Sequence, residues 1–183
     1  MIQRPALRVL LRELAQHPSN EVHDPMVRLA VRLRARDACE YCLWPTIGQF
    51  HIDHIIPPAL WHDYVANQLT AVRPITQRRG PEHLDNFAWC CAFCNIAKAR
   101  QVAHRAGGRT YRLFDPRRDR WPQHFVFAHN YLLIVGLPGI GQATERALGF
   151  NDARLGGPLG PRHDAILLGI YPPAWARSWS VGA

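Results

Sequence analysis

Four of the five cysteines in this chain stand in two C-x2-C pairs, and these pairs strongly limit how the chain can fold. Cys39 and Cys42 form the first pair, and Cys91 and Cys94 form the second. A structural zinc site takes four ligands in a tetrahedron, and two such pairs supply all four. The spacing therefore predicts a closed zinc site that joins two segments far apart in the sequence.

Free thiols and a redox pair are the alternatives to zinc. A thioredoxin-like motif would place a tryptophan directly before its C-x-x-C, but Trp89 precedes Cys90, and Phe93 occupies the position of its partner. Cys90 is therefore the spare cysteine, and we expect it to be a small buried hydrophobic residue. This use of cysteine is more typical of a reduced compartment than of a disulfide framework.

Composition and charge indicate a globular protein with a basic surface. The 183 residues are 48% hydrophobic, which suffices for one domain with an appendage. A formal net charge of +8 and a pI near 9.8 suit a polyanionic partner, because neutralising phosphates releases counterions. A basic surface without a partner is the alternative. No apolar run approaches the roughly 18 to 20 residues that cross a bilayer, so we expect a cytoplasmic protein with no membrane partner.

The segment from His51 to Pro57 predicts a short strand that ends in a turn, because apolar and polar residues alternate before the proline. This strand carries Asp53 and His54 to its end. A carboxylate beside an imidazole suits a metal ligand beside a base. His51 itself is expected to be a structural residue on the strand face.

A helix is predicted to start near Ala92 and to carry Asn95 and Lys98. These two residues are three apart and therefore lie on neighbouring faces of the helix, where an oxygen ligand and a cation come together. Lys98 is the only lysine in the chain, whose other basic residues are all arginine apart from histidine. A compact point charge at this position is one explanation, and chance is the other.

These residues together resemble the HNH endonucleases, whose core is a ββα-metal finger. The resemblance covers residues 38 to 104 and rests on the cysteine pairs and five polar residues: Asp53, His54, Asn86, Asn95 and Lys98. Asn95 stands where the family name has a histidine. Downstream, residues 113 to 117 and the pattern from Asp119 to Phe125 resemble an extension found in one bacterial branch of these nucleases.

The resemblance implies a fold class and a division of the chain. The expected fold is α+β, with a ββα-metal (His-Me finger) nuclease core held by the four-cysteine zinc site. Residues 1–37 would form N-terminal helices, residues 38–104 the nuclease core with an insert at 58–85, and residues 105–183 a hairpin-and-helix extension.

The resemblance also implies roles for the polar residues. His54 would be the general base, and Asp53 and Asn95 would hold a catalytic Mg²⁺ or Mn²⁺. The side-chain amide of Asn86 would hold the loop that orients His54, although an isolated asparagine is also a common turn residue. Lys98 would contact the scissile phosphate or its neighbour.

The function that follows is a metal-dependent endonuclease acting on DNA, expected to be double-stranded, and leaving 5′-phosphate and 3′-hydroxyl ends. No small-molecule substrate is expected. A zinc-stapled nucleic-acid-binding protein with a degenerate nuclease site is the first alternative. An interaction scaffold that uses the C-terminal segment is the second.

Five arginines are candidates for nucleic-acid contacts. They lie at the end of a predicted helix that starts at Asp24–Pro25 and in the 58–85 insert: Arg34, Arg36, Arg73, Arg78 and Arg79. A solvated helix face and an ordinary surface loop are the alternatives.

The remaining elements are predicted from periodicity and turn residues. An amphipathic helix is expected over residues 5–16 and a hairpin over residues 125–135. The glycine-rich stretch 137–148 predicts a turn followed by a helix, with a phosphate contact as the less favoured alternative. Residues 156–161 are expected to be a linker, residues 162–170 a last helix, and the tail from Pro172 loose.

Overall fold

The computed structural model of this chain describes residues 4–17, 20–153 and 158–180. Short antiparallel strand pairs combine with α-helices, so the fold class is α+β. Within those ranges no helix has both the length and the apolar character that crossing a membrane requires.

Two helices precede the first cysteine pair. Helix α1 spans Arg4–Leu14 and packs on helix α2, which spans Pro25–Arg34. Asp24 caps α2, because its Oδ1 accepts hydrogen bonds from the backbone N–H groups of Met26 (2.6 Å) and Val27 (3.3 Å). The predicted start of α2 at Asp24–Pro25 is confirmed.

The centre of the molecule is a two-stranded antiparallel sheet followed by a helix. Strand β1 (Phe50–His54) pairs with β2 (Phe87–Cys91), and Asp53 lies opposite Ala88. Helix α4 (Ala92–Lys98) begins directly after β2 and packs on both strands. Every residue of β2 is buried because α2 and α4 also cover it.

The insert between β1 and β2 has its own short elements. A 3-10 helix (Pro58–Leu60) continues into helix α3 (Trp61–Val65), and a second 3-10 helix (Leu84–Asn86) leads into β2. Tyr64 is buried with Ile56 and Val72 in a small core of their own. Val65, the last residue of α3, is exposed.

Two hairpins follow. Strands β3 (Ala103–Ala106) and β4 (Arg109–Arg112) form the first, and its turn uses Gly107 and Gly108, both at positive φ. The division at residues 104 and 105 therefore falls inside a strand. Strands β5 (Phe125–Ala128) and β6 (Leu133–Gly136) form the second hairpin, as predicted.

Helix α5 (Ile140–Leu148) packs closely on the second hairpin because two glycines leave room for backbone contact. A Cβ on Gly141 would lie 2.0 Å from the His124 carbonyl oxygen, and one on Gly136 would lie 2.4 Å from that of Gly141. The glycine-rich stretch is thus a turn followed by a helix, and close packing accounts for its glycines.

The C-terminal segment completes one continuous core. Helix α6 spans Leu159–Leu167, and a 3-10 helix spans Ala174–Trp179. The prediction of a loose tail from Pro172 is wrong, because Ala176 is buried in the same cluster that contains Val27 and Phe87, and Trp179 packs against that cluster. Gly156 and Gly157 of the predicted linker lie outside the described residues, and Leu159 to Pro161 belong to α6.

Candidate functional site

The four cysteines of the two pairs converge, as their spacing predicts. Their sulfur atoms all lie within 4.8 Å of one another and all four residues are buried. The Sγ atoms of Cys42 and Cys91 are 3.7 Å apart. Tetrahedral Zn²⁺ with bonds of about 2.3 Å separates its sulfur ligands by about 3.8 Å. The cluster therefore fits one metal ion such as zinc.

Hydrogen bonds among the four thiols shift the pKa values of three of them. Burial would raise the pKa of Cys39, but hydrogen bonds from the neighbouring thiols hold it well below its usual range. The same hydrogen bonds to Cys39 raise the pKa values of Cys91 and Cys94. Cysteines bind a metal ion as thiolates, so a divalent ion among these sulfur atoms would favour their ionised forms.

Side chains from the C-terminal segment secure the first cysteine pair. The Trp121 indole N–H donates to the Tyr41 carbonyl oxygen (2.8 Å), and the Tyr171 hydroxyl donates to that of Cys42 (3.0 Å). Both aromatic rings are buried. The sequence pattern around Trp121 thus supports the cysteine cluster, a role that cysteine spacing alone does not indicate.

At the far end of β1, the Asn86 side chain clasps the chain directly after His54. Its Oδ1 accepts from the Ile56 N–H (2.9 Å), and its Nδ2 donates to the carbonyl oxygens of Ile56 (2.8 Å) and Pro81 (2.9 Å). The Asn86 carbonyl oxygen also accepts from the Ile55 N–H (2.8 Å). Asn86 is completely buried. The loop contact expected of Asn86 is present.

His54 stands at the end of β1 with part of its ring exposed. Its Nε2 lies 2.9 Å from Oε1 of Glu82, an ion-pair distance without hydrogen-bond geometry. The ring edge rests on Phe87, with ring centroids 5.3 Å apart. Glu82 was not singled out from the sequence, and its place in the long insert gave no signal of this contact.

Asp53 lies beside His54 in the chain but is enclosed. Its Oδ2 accepts from the Tyr41 hydroxyl (2.7 Å), and its Oδ1 accepts from the Lys98 ammonium (3.1 Å). Burial raises the pKa of Asp53, while Lys98 and Tyr41 act in the opposite direction. Tyr41 was not predicted as a partner, because nothing in a C-x2-C pair indicates where its middle residues point.

Lys98 takes a different position from the one expected. Its side chain is only 1% exposed, and Nζ also donates to the His54 carbonyl oxygen (2.9 Å). The ammonium therefore neutralises Asp53 and fixes the end of β1. The predicted phosphate contact of Lys98 is not available while the ammonium is enclosed in this way.

The oxygen donors expected to hold a catalytic ion differ in availability. The Asn95 side chain is partly exposed on α4 and makes no hydrogen bond within the part of the chain that the structure describes. Both oxygens of Asp53 are engaged. Among the described residues, the cysteines are also the one cluster of three or more His, Cys, Asp or Glu side chains with metal-binding geometry.

The five candidate arginines divide into two groups. Arg34 donates to the carbonyl oxygens of Leu84 and Phe87 (both 2.9 Å), and burial lowers its pKa to about 10. Arg78 is paired with Asp115 (2.7 Å) and its side chain is 1% exposed. Both side chains are engaged within the protein and hold the fold together, and their contact with nucleic acid stays a prediction.

The other three arginines are exposed. Arg36 lies over the Trp175 ring (5.2 Å), and Arg79 bonds to Asp85 and to the Ala15 carbonyl oxygen. Arg73 is exposed and has no ion-pair partner in the described ranges. Of the five, Arg73 therefore has the most available charge.

In comparisons with protein-family models, curated proteins and solved structures, nothing matches this chain. The assignment of function therefore rests on the residues and the geometry described above.

Proposed function

We propose that this protein is an HNH-type endonuclease that hydrolyses DNA phosphodiester bonds with His54 as the general base. The observation that carries the proposal is the Asn86 clasp on Ile56, which fixes the backbone immediately after His54. The order of strand, strand and helix around a four-cysteine cluster supports the same proposal. A ββα-metal nuclease core has these parts in this order.

The residues of the chain account for proton transfer. A neutral imidazole at the end of β1 takes a proton from water as that water attacks the phosphorus atom. The carboxylate of Glu82, 2.9 Å from Nε2, stabilises the imidazolium that forms. Lys98 holds the His54 carbonyl oxygen and Asn86 holds Ile56 two residues further on, so the backbone that carries the ring is fixed.

A divalent ion would be held by Asp53 and Asn95. Their carboxylate and amide oxygens are ligands that Mg²⁺ or Mn²⁺ prefers, and the Asn95 amide makes no hydrogen bond among the described residues. When bound, such an ion polarises the phosphate and stabilises the departing oxygen. Because Lys98 already neutralises Oδ1 of Asp53, we expect the ion to compete with the ammonium for this carboxylate.

Plasmid cleavage tests the proposal. Supercoiled DNA is incubated with Mg²⁺ or Mn²⁺ and wild type, His54→Ala or His51→Ala protein. His51 is the matched control, because it lies on the same strand but is exposed and outside the candidate site. We expect wild type and His51→Ala to cut and His54→Ala to lose at least about a hundredfold in rate. No cutting by wild type, or equal cutting by all three, contradicts the proposal.

A second candidate is a zinc-stapled nucleic-acid-binding protein with a degenerate nuclease site. The enclosure of Asp53 between Tyr41 and Lys98 favours it, because a carboxylate with both oxygens engaged is a poor ligand. DNA binding that is insensitive to EDTA, together with no cleavage by wild type in either ion, would support this candidate.

A further inference from the structure

The insert and the C-terminal extension meet around a small basic cavity. The insert contributes Arg73 and Arg78, and the extension contributes Arg112, Asp115 and Arg118. The cavity has a volume of about 20 Å³. Asp115 is its one acidic lining residue within the described ranges, so the surroundings strongly favour an anion.

The cavity also borders the candidate active site. Lys98 lines it, together with Ile55 and Ile56, the two residues that follow His54 in the chain. Asn86 fixes these two residues by hydrogen bonds to their backbone. A group bound in this cavity is therefore held beside the backbone that positions His54.

Ion pairs account for three of the five cations around the cavity. Arg78 is paired with Asp115 (2.7 Å), Arg112 with Asp119 (2.5 Å) and Lys98 with Asp53 (3.1 Å). These pairs are neutral overall and hold the walls in place.

Arg73 and Arg118 supply the remaining charge. Both side chains are exposed, and neither has an ion-pair partner among the described residues. One comes from the insert and the other from the extension, so each of these two segments contributes one unpaired positive charge to the cavity lining. Guanidinium groups arranged in this way suit the oxygens of a phosphate.

A buried donor without a partner provides a second observation. The Nε–H of Arg78 has no hydrogen-bond acceptor, although the side chain is 1% exposed and lines the cavity. A buried donor left in this state costs free energy, which a hydrogen-bond acceptor would recover. A ligand with an oxygen acceptor therefore suits the cavity.

The size of the cavity selects the class of ligand. About 20 Å³ holds one group the size of a water molecule, since one such group needs roughly 10 to 15 Å³. A whole small molecule does not fit, but a single phosphate oxygen does. The rest of such a phosphate would remain at the mouth, where a polymer backbone can continue past it.

We propose that this cavity is a subsite for one backbone phosphate of a nucleic acid, clamped between Arg73 and Arg118. The phosphate directs one oxygen inward, towards the Arg78 wall. The proposal rests on the proposed function in taking DNA as the polyanion. It assigns a role to the extension, which contributes Arg118 and, through the Asp115–Arg78 pair, holds the insert in position.

Salt-dependent binding to a fluorescein-labelled DNA duplex tests the clamp. Fluorescence anisotropy is measured without divalent ions for wild type, for Arg73→Ala/Arg118→Ala and for Arg12→Ala/Arg109→Ala. The last variant is matched in charge, because Arg12 and Arg109 are exposed arginines that do not line the cavity. A fourth variant, Arg73→Lys/Arg118→Lys, keeps the charge but loses the paired N–H donors.

We expect the clamp variant to bind about tenfold or more weakly than wild type at low salt. The slope of log affinity against log salt concentration should fall by about 2, one unit for each lost phosphate contact. The lysine variant should keep most of the slope, and the control pair should change both quantities much less. All variants should unfold at the wild-type temperature.

The proposal is overturned if the clamp variant binds like wild type, if the control pair loses as much affinity, or if wild type shows no salt-dependent binding. Failure of the proposed function is distinguishable. In that case wild type binds and the clamp variant does not, but no variant cuts plasmid DNA.

Discussion

Strands β1 and β2 and helix α4 together form a ββα unit, and buried charge is neutralised differently at its two ends. At one end, four cysteines converge, and a metal ion bound there would itself neutralise their thiolates. At the other end, Asp53 is neutralised from within the chain, because Lys98 lies on the same helix as Cys94, one turn further along. The sulfur cluster thus has the geometry to take a metal ion, whereas the carboxylate is already stabilised by a cation of the chain itself.

Loss of a cluster ligand should have the largest effect. Cys91→Ala is expected to remove zinc and to unfold much of the chain, since a structural zinc ion supplies on the order of 10 kcal/mol in small domains. Cys90→Ala is the matched control, because Cys90 is a buried neighbour on β2 and not one of the four ligands. Metal analysis and thermal unfolding of both variants check this. Equal zinc content in the two would contradict the assignment.

Breaking the internal pair at Asp53 should have the next largest effect. Lys98→Met leaves a buried carboxylate without its cation and should lower the free energy of unfolding by about 3 to 5 kcal/mol. Adding Asp53→Asn to Lys98→Met should restore much of the loss, because no buried charge is then left alone. Urea unfolding of the single and double variants measures the coupling. Additive losses would show that the pair contributes little.

Tyr41→Phe isolates the other contact to the same carboxylate. The variant removes one hydrogen bond to a charged, buried group and keeps the packing of the ring, so a loss of about 1.5 to 3 kcal/mol is expected. Tyr64→Phe, at a buried tyrosine whose hydroxyl instead accepts a hydrogen bond from a backbone N–H, is the control and should lose less. Urea unfolding compares the two variants, and a larger loss in Tyr64→Phe would count against a charged Asp53.

The smallest effect concerns Asp119, a carboxylate whose pKa shifts in the opposite direction to that of Asp53. Burial would raise the pKa of Asp119, but the hydrogen bonds from Arg112 and from the backbone N–H of Asp115 outweigh it and lower the pKa. Its contribution is therefore present above the ordinary carboxyl pKa and is lost as pH falls through the lowered value. Stability measured between about pH 6 and pH 3 should fall more in wild type than in Arg112→Gln, by about 1 kcal/mol. Equal acid sensitivity would remove Arg112 as the cause.

The same contrast explains what the sequence could predict. The structure confirms three predictions: the convergence of the four cysteines, the Asp24 cap and the hairpin over residues 125–135. The first depends on the fixed number of ligands that a zinc site takes, and the other two depend on local sequence pattern. The Tyr41–Asp53–Lys98 contacts depend on which charges become buried together, and that is decided by packing between distant segments. The order of residues along the chain does not show which charged side chains will be buried together.

The arginines of the insert also show that contacts between distant segments cannot be predicted from local sequence. Arg78 and Arg73 belong to one basic stretch of the insert, yet Arg78 is enclosed against Asp115 and Arg73 is exposed. The partner of Arg78 lies in the extension, far along the chain, so its structural role could not be inferred from the insert. His54 and Asn86 were accessible through the family resemblance, and their catalytic roles stay predictions.

The most direct test measures zinc content and DNA cleavage on the same preparation of His54→Ala. If one end of the ββα unit holds the fold and the other carries the chemistry, this variant should contain about one zinc per chain, unfold at the wild-type temperature and fail to cut plasmid DNA. Cleavage at the wild-type rate, or loss of zinc together with activity, would contradict that division.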